Sequence, residues 1–168
     1  MLGHNVIVVD YPQLGASKGE LNQDGLTLSA LLAYDWVAAR AIGRISVVGR
    51  SLGAAVAAQL ASQREVYHLV LISPWTNLKE LALETTKIAD KVPSSFWKDN
   101  SWDTENSKPV TKYMLVIHGV EDTLIPYRMG AEVAGAHNAG LFAVENAGHN
   151  DMFSDGSVFA LLYQVLQM

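Results

Sequence analysis

Short apolar runs recur along the chain, and each is bounded by turn-forming or charged residues. The runs are continuous rather than alternating, and most are rich in β-branched residues. This pattern predicts strands of a parallel sheet that is buried on both faces. The predicted strands, in chain order, are residues 5–10, 45–48, 67–73, 113–118 and 141–144.

Longer segments separate these strands and predict helices at 26–40, 53–62, 127–137 and 157–168. Asp24 or Thr27 is expected to cap the first helix. The last helix places its apolar residues on one face, namely Val158, Leu161, Leu162, Val165 and Leu166. Strands that alternate with helices indicate an α/β fold, here a three-layer sandwich with a mostly parallel sheet.

One segment departs from this alternation. Residues 76–112 are more polar and irregular, with a predicted helix at 78–89 and a break at 92–95. Phe96, Trp97 and Trp102 lie among charged residues there. A segment of this length between two buried strands is typical of a lid or a binding loop, here inserted at about 76–112. The alternative is a helix and loop that pack against one edge of the sheet, with the aromatic residues as anchors.

The second predicted strand continues into Gly49-Arg50-Ser51-Leu52-Gly53, and an alanine-rich helix follows at once. Strand, sharp turn and helix would place Ser51 at the tip in a strained backbone conformation, with glycines that allow close backbone contact. The N–H groups at the start of the helix would favour developing negative charge. This pattern is typical of a nucleophile elbow, although an ordinary strand-to-helix turn gives the same letters.

Two further chemical groups follow predicted strands. Asp122 lies just after the fourth strand, and His149 lies in a loop after the fifth. Carboxyl ends of parallel strands share one edge of a sheet, so a nucleophile, a carboxylate and an imidazole would meet there. Serine is a weak nucleophile that needs histidine to take its proton and a carboxylate to orient the imidazole.

Each of these residues has another interpretation. Asp122 precedes a proline turn, where aspartate is common for local hydrogen bonding, and Glu121 competes for the same role. His149 lies between a glycine and an asparagine and could be a solvated loop residue. His118 ends a strand, which favours a structural role.

Composition limits the classes of function. The 168 residues are 49% hydrophobic, which suits one globular domain, and a net charge of −5 without a basic block argues against nucleic acid as a partner. The absence of cysteine excludes disulfides and thiolate chemistry, and no motif indicates a metal or other cofactor. No apolar run reaches the roughly 20 residues of a membrane span. The first residues do not resemble a signal peptide, so a cytoplasmic location is expected.

Five stretches carry a resemblance to a known family. They are Val-Asp-Tyr-Pro-Gln-Leu-Gly-Ala-Ser at 9–17, Gly-Arg-Ser-Leu-Gly at 49–53, Ser-Pro at 73–74, His-Gly-x-Glu-Asp-x-x-x-Pro at 118–126, and Ala-Gly-His-Asn-Asp at 147–151. With them the chain resembles the α/β-hydrolases, most closely the small branch related to serine aminopeptidases and acyl hydrolases. The resemblance implies Ser51 as nucleophile, Asp122 as acid, His149 as base and the Leu52 N–H as one oxyanion donor.

The same resemblance implies a truncated α/β-hydrolase fold. The family has an eight-stranded sheet, and this chain begins at what resembles its fourth strand. Residues 1–168 are therefore expected to form a single domain, the C-terminal part of that fold. The first three strands and the loop that supplies the second oxyanion donor have no counterpart, which would leave a gap between residues 5–10 and the elbow strand. Such an edge could pair with another copy of the chain.

The expected function is that of a serine hydrolase. It would cleave an ester, thioester or amide bond of a small-molecule acyl substrate through an acyl-enzyme intermediate. The alternative is a truncated or non-catalytic α/β-hydrolase fragment with a binding or structural role.

Overall fold

The computed structural model describes residues 4–41, 43–86, 89–154 and 156–168. Within these residues one sheet has four parallel strands, in the spatial order β1 (Val47–Arg50), β2 (Val66–Ile72), β3 (Thr111–Gly119) and β4 (Gly140–Val144). The helices are α1 (Gln23–Ala38), α2 (Leu52–Ala61), α3 (Leu78–Thr85), α4 (Ser94–Asp99), α5 (Tyr127–Ala136) and α6 (Ser157–Gln167). A short 3₁₀ turn, Ala89–Lys91, precedes α4.

The parallel register brings the carboxyl ends of the strands to one edge of the sheet. Gly49 of β1 is opposite Leu71 of β2, Leu71 is opposite Val116 of β3, and Val116 is opposite Leu141 of β4. The loops that follow β1, β3 and β4 therefore emerge at the same edge, where α/β proteins bind their ligands.

Helices cover the sheet on both faces, which confirms the predicted α/β architecture. Helices α1, α2 and α5 pack on one face around a buried cluster of Ala54, Ala57, Ala58, Leu60, Ala61, Val66, Leu69, Leu71, Val116, Val133 and Ala134. Helix α6 packs on the other face around Val70, Ile72, Ile117, Val144, Ala147, Met152 and Val158. The alanines of α2 bring this helix close to the sheet, since small side chains shorten the distance between packed elements.

The prediction of a strand at 5–10 is wrong. These residues form no strand, and Val6 and Val8 are 75% and 87% exposed. A strand needs a neighbour to satisfy its backbone N–H and C=O groups, and strand β1, one of the two edges of the described sheet, pairs only with β2. The apolar pattern indicated a tendency toward burial, but no described element covers the segment.

The N-cap of the first helix also differs from the prediction. Asn22, rather than Asp24 or Thr27, accepts a hydrogen bond from Gly25 N at 2.8 Å and caps α1. The helix begins three residues before the predicted start at 26, so both predicted caps lie inside it. Asparagine in extended conformation is among the preferred N-cap residues, because its side-chain oxygen satisfies a free backbone N–H.

The segment 76–112 holds α3, the 3₁₀ turn and α4, and residues 87 and 88 of the helix predicted there lie outside the described residues. Trp102 is 3% exposed, and its carbonyl oxygen accepts a hydrogen bond from Trp75 Nε1 at 3.2 Å. The Trp102 N–H donates to Gln23 Oε1 of α1 at 2.9 Å. Trp102 is thus an anchor in the core, whereas Phe96 is 44% exposed. The lid function of the segment stays a prediction.

None of the helices in the described part of the chain has the length and apolar character needed to cross a membrane.

Candidate active site

Ser51 occupies the turn between β1 and α2 with φ 54° and ψ −123°. Its backbone N–H donates to the Ile72 carbonyl at 2.9 Å, which ties the turn to the neighbouring strand. A positive φ is strained for a residue with a Cβ and persists only where the surroundings enforce it. Gly49 allows the first turn of α2 to approach the strand closely, because a Cβ at Gly49 would lie 2.1 Å from the Gly53 carbonyl oxygen.

Leu52 is the first residue of α2 and follows Ser51 directly. The first N–H groups of a helix have no partner within the helix, and its positive dipole end lies there. Leu52 therefore carries one of the N–H groups at the positive end of α2, directly after Ser51 in the chain.

Asp122 lies in the turn that follows β3, and its side chain is fully buried. Its Oδ1 accepts hydrogen bonds from the backbone N–H groups of Leu124 at 2.9 Å and Ile125 at 2.8 Å. Burial, the largest influence, raises the pKa of Asp122, but hydrogen bonds from these two N–H groups and from His149 outweigh it. The pKa of Asp122 is therefore held below its usual value, and the carboxylate is ionised at neutral pH.

His149 lies in the loop after β4, and its Nδ1 is 2.7 Å from Asp122 Oδ2. An ionised carboxylate only accepts hydrogen bonds, so Nδ1 carries a proton and donates it to Asp122. The structure also decides between the two neighbouring carboxylates, since Asp122 contacts His149 whereas Glu121 is exposed. The imidazole is 9% exposed, so it is not a solvated loop residue.

His118 is buried beneath this pair. Its Nε2 lies 2.9 Å from the Ile125 carbonyl oxygen, to which it donates, and 3.5 Å from Asp122 Oδ2. Burial lowers the pKa of His118, against the opposing influence of the Ile125 carbonyl and the Asp122 carboxylate. Gly130 of α5 makes room for the ring, because a Cβ there would lie 2.1 Å from His118 Nδ1. The neutral imidazole supports the turn that presents Asp122, consistent with the structural role predicted for it.

Arg50 is a residue of this site that motif analysis misses, because the variable positions of Gly-x-Ser-x-Gly carry no chemical signal. Its Nη2 donates to the His149 carbonyl oxygen at 2.5 Å and lies 3.2 Å from Asn150 Oδ1. The residue next to the elbow serine thus contacts the loop that carries the imidazole.

Ser51 and His149 are not hydrogen-bonded to each other. Among the described residues the Ser51 hydroxyl has no side-chain hydrogen bond, while Asp122 and His149 are joined. Catalytic hydrogen bonds are often long before substrate binds and tighten in the complex. Among the described residues, no group of three or more His, Asp or Glu side chains is arranged to hold a metal ion.

The sequence of this chain is similar to those of several known proteins. No family model matches the chain. The chain is 32% identical over 162 residues to an uncharacterized protein of Mycobacterium tuberculosis, covering 89% of this chain and 54% of that protein. It is 28% identical over 152 residues to the lysophosphatidylserine lipase ABHD12 of Gallus gallus, covering 79% of this chain and 39% of the lipase. The chain thus spans about half the length, or less, of these curated relatives.

Two solved structures show the same arrangement of elements. An esterase of Pyrococcus furiosus superimposes with a TM-score of 0.76 at 24% identity, covering 99% of this chain and 70% of the esterase. An alpha-beta serine hydrolase homologue from Coxiella burnetii gives a TM-score of 0.68 at 17% identity, covering 94% and 66% of the two chains. At these identities the likeness establishes a shared fold.

Proposed function

We propose that this chain, which has the α/β-hydrolase fold, belongs to a serine hydrolase that acts through an acyl-enzyme. The fold, together with a curated relative named as a lipase, supports a hydrolase. The proposed roles are nucleophile for Ser51, general base for His149, orienting carboxylate for Asp122 and oxyanion donor for the Leu52 N–H.

The observation that carries this proposal is the hydrogen bond of 2.7 Å between Asp122 and His149, at the same sheet edge as the strained turn of Ser51. A buried carboxylate that fixes the proton on Nδ1 makes Nε2 the basic nitrogen. It also stabilises the imidazolium that forms when Nε2 takes a proton. A solvated surface pair would need neither the burial of Asp122 nor its two backbone hydrogen bonds.

The proposed reaction has two halves. Ser51 Oγ attacks the acyl carbon as His149 Nε2 takes the hydroxyl proton, and the Leu52 N–H stabilises the oxyanion. The intermediate collapses, the imidazolium gives its proton to the leaving oxygen, sulfur or nitrogen, and the acyl-enzyme remains. Water then attacks, His149 takes its proton, and the acid product leaves when Ser51 Oγ regains a proton. One oxyanion donor typically contributes about 10²–10³ in kcat.

The proposed substrate is a small-molecule ester, thioester or amide. Two similar proteins are named as an esterase and as a lysophosphatidylserine lipase, which makes esters the first class to assay. A panel of p-nitrophenyl esters with short and long acyl chains, together with lysophosphatidylserine, covers both precedents.

The test is labelling of the 168-residue chain with a fluorophosphonate, which reacts with an activated serine. We expect label on the peptide that contains Ser51, no label in Ser51→Ala, and normal label in Ser154→Ala, a matched change at an exposed loop serine. A folded chain that takes up no label, or a Ser51→Ala variant that keeps it, would contradict the proposal.

The second candidate is a non-catalytic role in binding or structure. It is favoured by the unpartnered Ser51 hydroxyl and by the exposed apolar residues at 6–9. A chain that unfolds cooperatively but neither labels nor hydrolyses any ester of the panel would support it.

We further propose that residues 1–168 act as one domain and that 76–112 borders the acyl site. The packing of Trp102 supports this placement, because Trp102 lies in one buried cluster with Ala55 and Val56 of α2, the helix that begins beside Ser51. Phe96 lies on the same segment and is exposed. Phe96→Ser should raise KM for long-chain esters more than for short ones. Equal KM changes for both lengths would point to anchoring alone.

A further inference from the structure

Arg50 lies at a junction that the proposed reaction depends on. It is the last residue of β1, immediately before Ser51, and its side chain is exposed. Side chains alternate along a strand, and Val47 of β1 packs with the α2 face of the sheet. Arg50 therefore points to the opposite face, on which the β4 loop packs through Ala147 and Met152.

The guanidinium contacts two residues that lie 99 and 100 positions after Arg50 in the chain. Its Nη2 is 2.5 Å from the His149 carbonyl oxygen and 3.2 Å from Asn150 Oδ1. Arginine suits such a bridge because its planar guanidinium presents several donors in a fixed geometry. The contact falls on the backbone of the proposed base itself, not on a distant part of the loop.

The other hydrogen bonds of this loop among the described residues run to the loop itself and to the turn after β3. Gly148 N donates to Asp151 Oδ1 at 2.6 Å, Glu121 N donates to the Ala147 carbonyl at 2.9 Å, and the imidazole donates to Asp122. These contacts join the loop to itself and to the β3 turn. None of them joins it to the turn of the serine, whereas Arg50 does.

We propose that Arg50 is a positioning residue that sets the distance between the His149 imidazole and the Ser51 hydroxyl by holding the His149–Asn150 backbone against the elbow. This inference rests on the proposed function and adds to it. Asp122 orients the ring, and Arg50 locates the loop that carries the ring. A displacement of about 1 Å in such a pair can reduce a rate about 10²-fold, so the contact has a measurable consequence.

The first experiment compares Arg50→Met, Arg50→Lys and Asn150→Ala with wild type, using ester hydrolysis and the second-order rate of fluorophosphonate labelling. We expect Arg50→Met to lower kcat and the labelling rate about 10- to 100-fold, with KM within about two-fold. Arg50→Lys should recover part of the loss, since ammonium is a single-point donor. Asn150→Ala, which keeps the His149 contact, should cost less than Arg50→Met.

The matched control is Arg44→Met. Arg44 precedes the same strand at its amino end, where its Nη1 donates to the Met168 carbonyl at 2.9 Å. The control removes the same charge without touching the loop, and we expect wild-type kcat. Equal losses in both variants would assign the effect to net charge and overturn the proposal, as would wild-type kcat in Arg50→Met.

Chemical rescue separates positioning from general damage to the fold. Millimolar guanidinium should raise the kcat of Arg50→Ala and leave wild type, Ser51→Ala and Arg44→Met unchanged. If Arg50→Met does not fold, the test uses two other measurements. They are the kcat of Arg50→Ala with and without guanidinium, and the kcat of the milder variant Asn150→Ala. Failure of rescue together with wild-type kcat in Asn150→Ala would overturn the proposal.

Failure of the proposed function can be told apart from failure of this inference. If wild type neither labels nor hydrolyses esters, the function is wrong, and the imidazole signals of His149 in NMR spectra still report its position. A displaced His149 spectrum in Arg50→Met, but not in Arg44→Met, would support the positioning role. An unchanged spectrum would overturn it.

Discussion

Residues 5–10 and strand β3 are both continuous apolar runs, yet they have opposite environments. Val8 is 87% exposed in the first, whereas Ile117 of β3 is fully buried in the second. Strand β3 has β2 and β4 on its two sides and helices on both faces, while residues 5–10 pair with no strand. An apolar run therefore becomes a strand only where neighbouring strands satisfy its backbone N–H and C=O groups.

The residues of the candidate site also differ in how far they are joined. Asp122 follows the central strand β3, His149 follows β4, and the hydrogen bond between the two side chains is buried. Ser51 follows β1, which like β4 has one paired side, and its hydroxyl is unpartnered among the described residues. The orienting pair is thus already joined by a hydrogen bond, whereas the nucleophile is not joined to it.

Removing the charge of the carboxylate should have the largest effect. Asp122→Asn keeps an oxygen for the backbone N–H groups of Leu124 and Ile125 but no longer fixes the His149 proton on Nδ1. We expect about a 10⁴-fold lower kcat, measured with a p-nitrophenyl ester, and little change in thermal unfolding. Glu121→Gln, a matched change at the exposed neighbouring carboxylate, should be close to wild type. A similar loss in both variants would contradict the assignment of Asp122.

Shortening one side chain in each of the two apolar runs should affect the stability of the protein very differently. Ile117→Ala leaves a cavity in the core and should lower the free energy of unfolding by about 2–5 kcal/mol. Val8→Ala changes a solvated side chain and should stay within about 0.5 kcal/mol of wild type. Urea denaturation measures both. A loss at Val8 comparable to that at Ile117 would mean that residues 5–10 are covered in solution.

A smaller effect on the free energy of unfolding is expected from pH, through the buried side chain of His118 in β3. The pKa of His118 is lowered in the folded state, mainly by burial, so below about 6.5 the unfolded chain binds a proton that the folded chain does not. The free energy of unfolding should therefore fall as pH drops from about 6.5 toward the folded-state pKa. Asp122, whose pKa is also lowered, adds its loss only below the ordinary aspartate range.

Urea denaturation at a series of pH values measures this dependence. In His118→Gln the fall below pH 6.5 should become shallower, whereas His4→Gln, at an exposed histidine, controls for loss of a histidine in general. An identical pH dependence in His118→Gln and wild type would contradict the burial argument.

The smallest effect is expected at the surface of the 76–112 segment. Arg128 of α5 pairs with Glu80 and Glu84 of α3 and with Glu132, and its side chain is 45% exposed. Exposed ion pairs contribute little, so Arg128→Ala should lower the free energy of unfolding by no more than about 1 kcal/mol, and less in high salt. A larger or salt-independent loss would mean that ion pairs, rather than Trp102, anchor the segment.

Much of the fold and the residue types of the candidate site were predictable from local pattern. Four of the five predicted strands are present, and α2, α5 and α6 begin within one residue of their predicted starts. The turn at Ser51 was predictable because the two flanking glycines, Gly49 and Gly53, allow close backbone contact within a few residues. The sequence also predicted that Ser51, Asp122 and His149 each follow a strand, and in a parallel sheet the ends of these strands share one edge.

Other features depended on residues that are distant in sequence. Only the folded chain decided that Asp122 rather than Glu121 meets His149, that Trp102 is buried, and that Arg50 contacts the His149 loop. Only the fold decided that residues 5–10 form no strand. A helix or tight turn satisfies its backbone groups within a few residues, so the sequence itself determines it. A strand, a buried hydrogen bond between side chains or a loop contact needs partners that the tertiary structure brings together, and the sequence pattern alone does not show whether they are there.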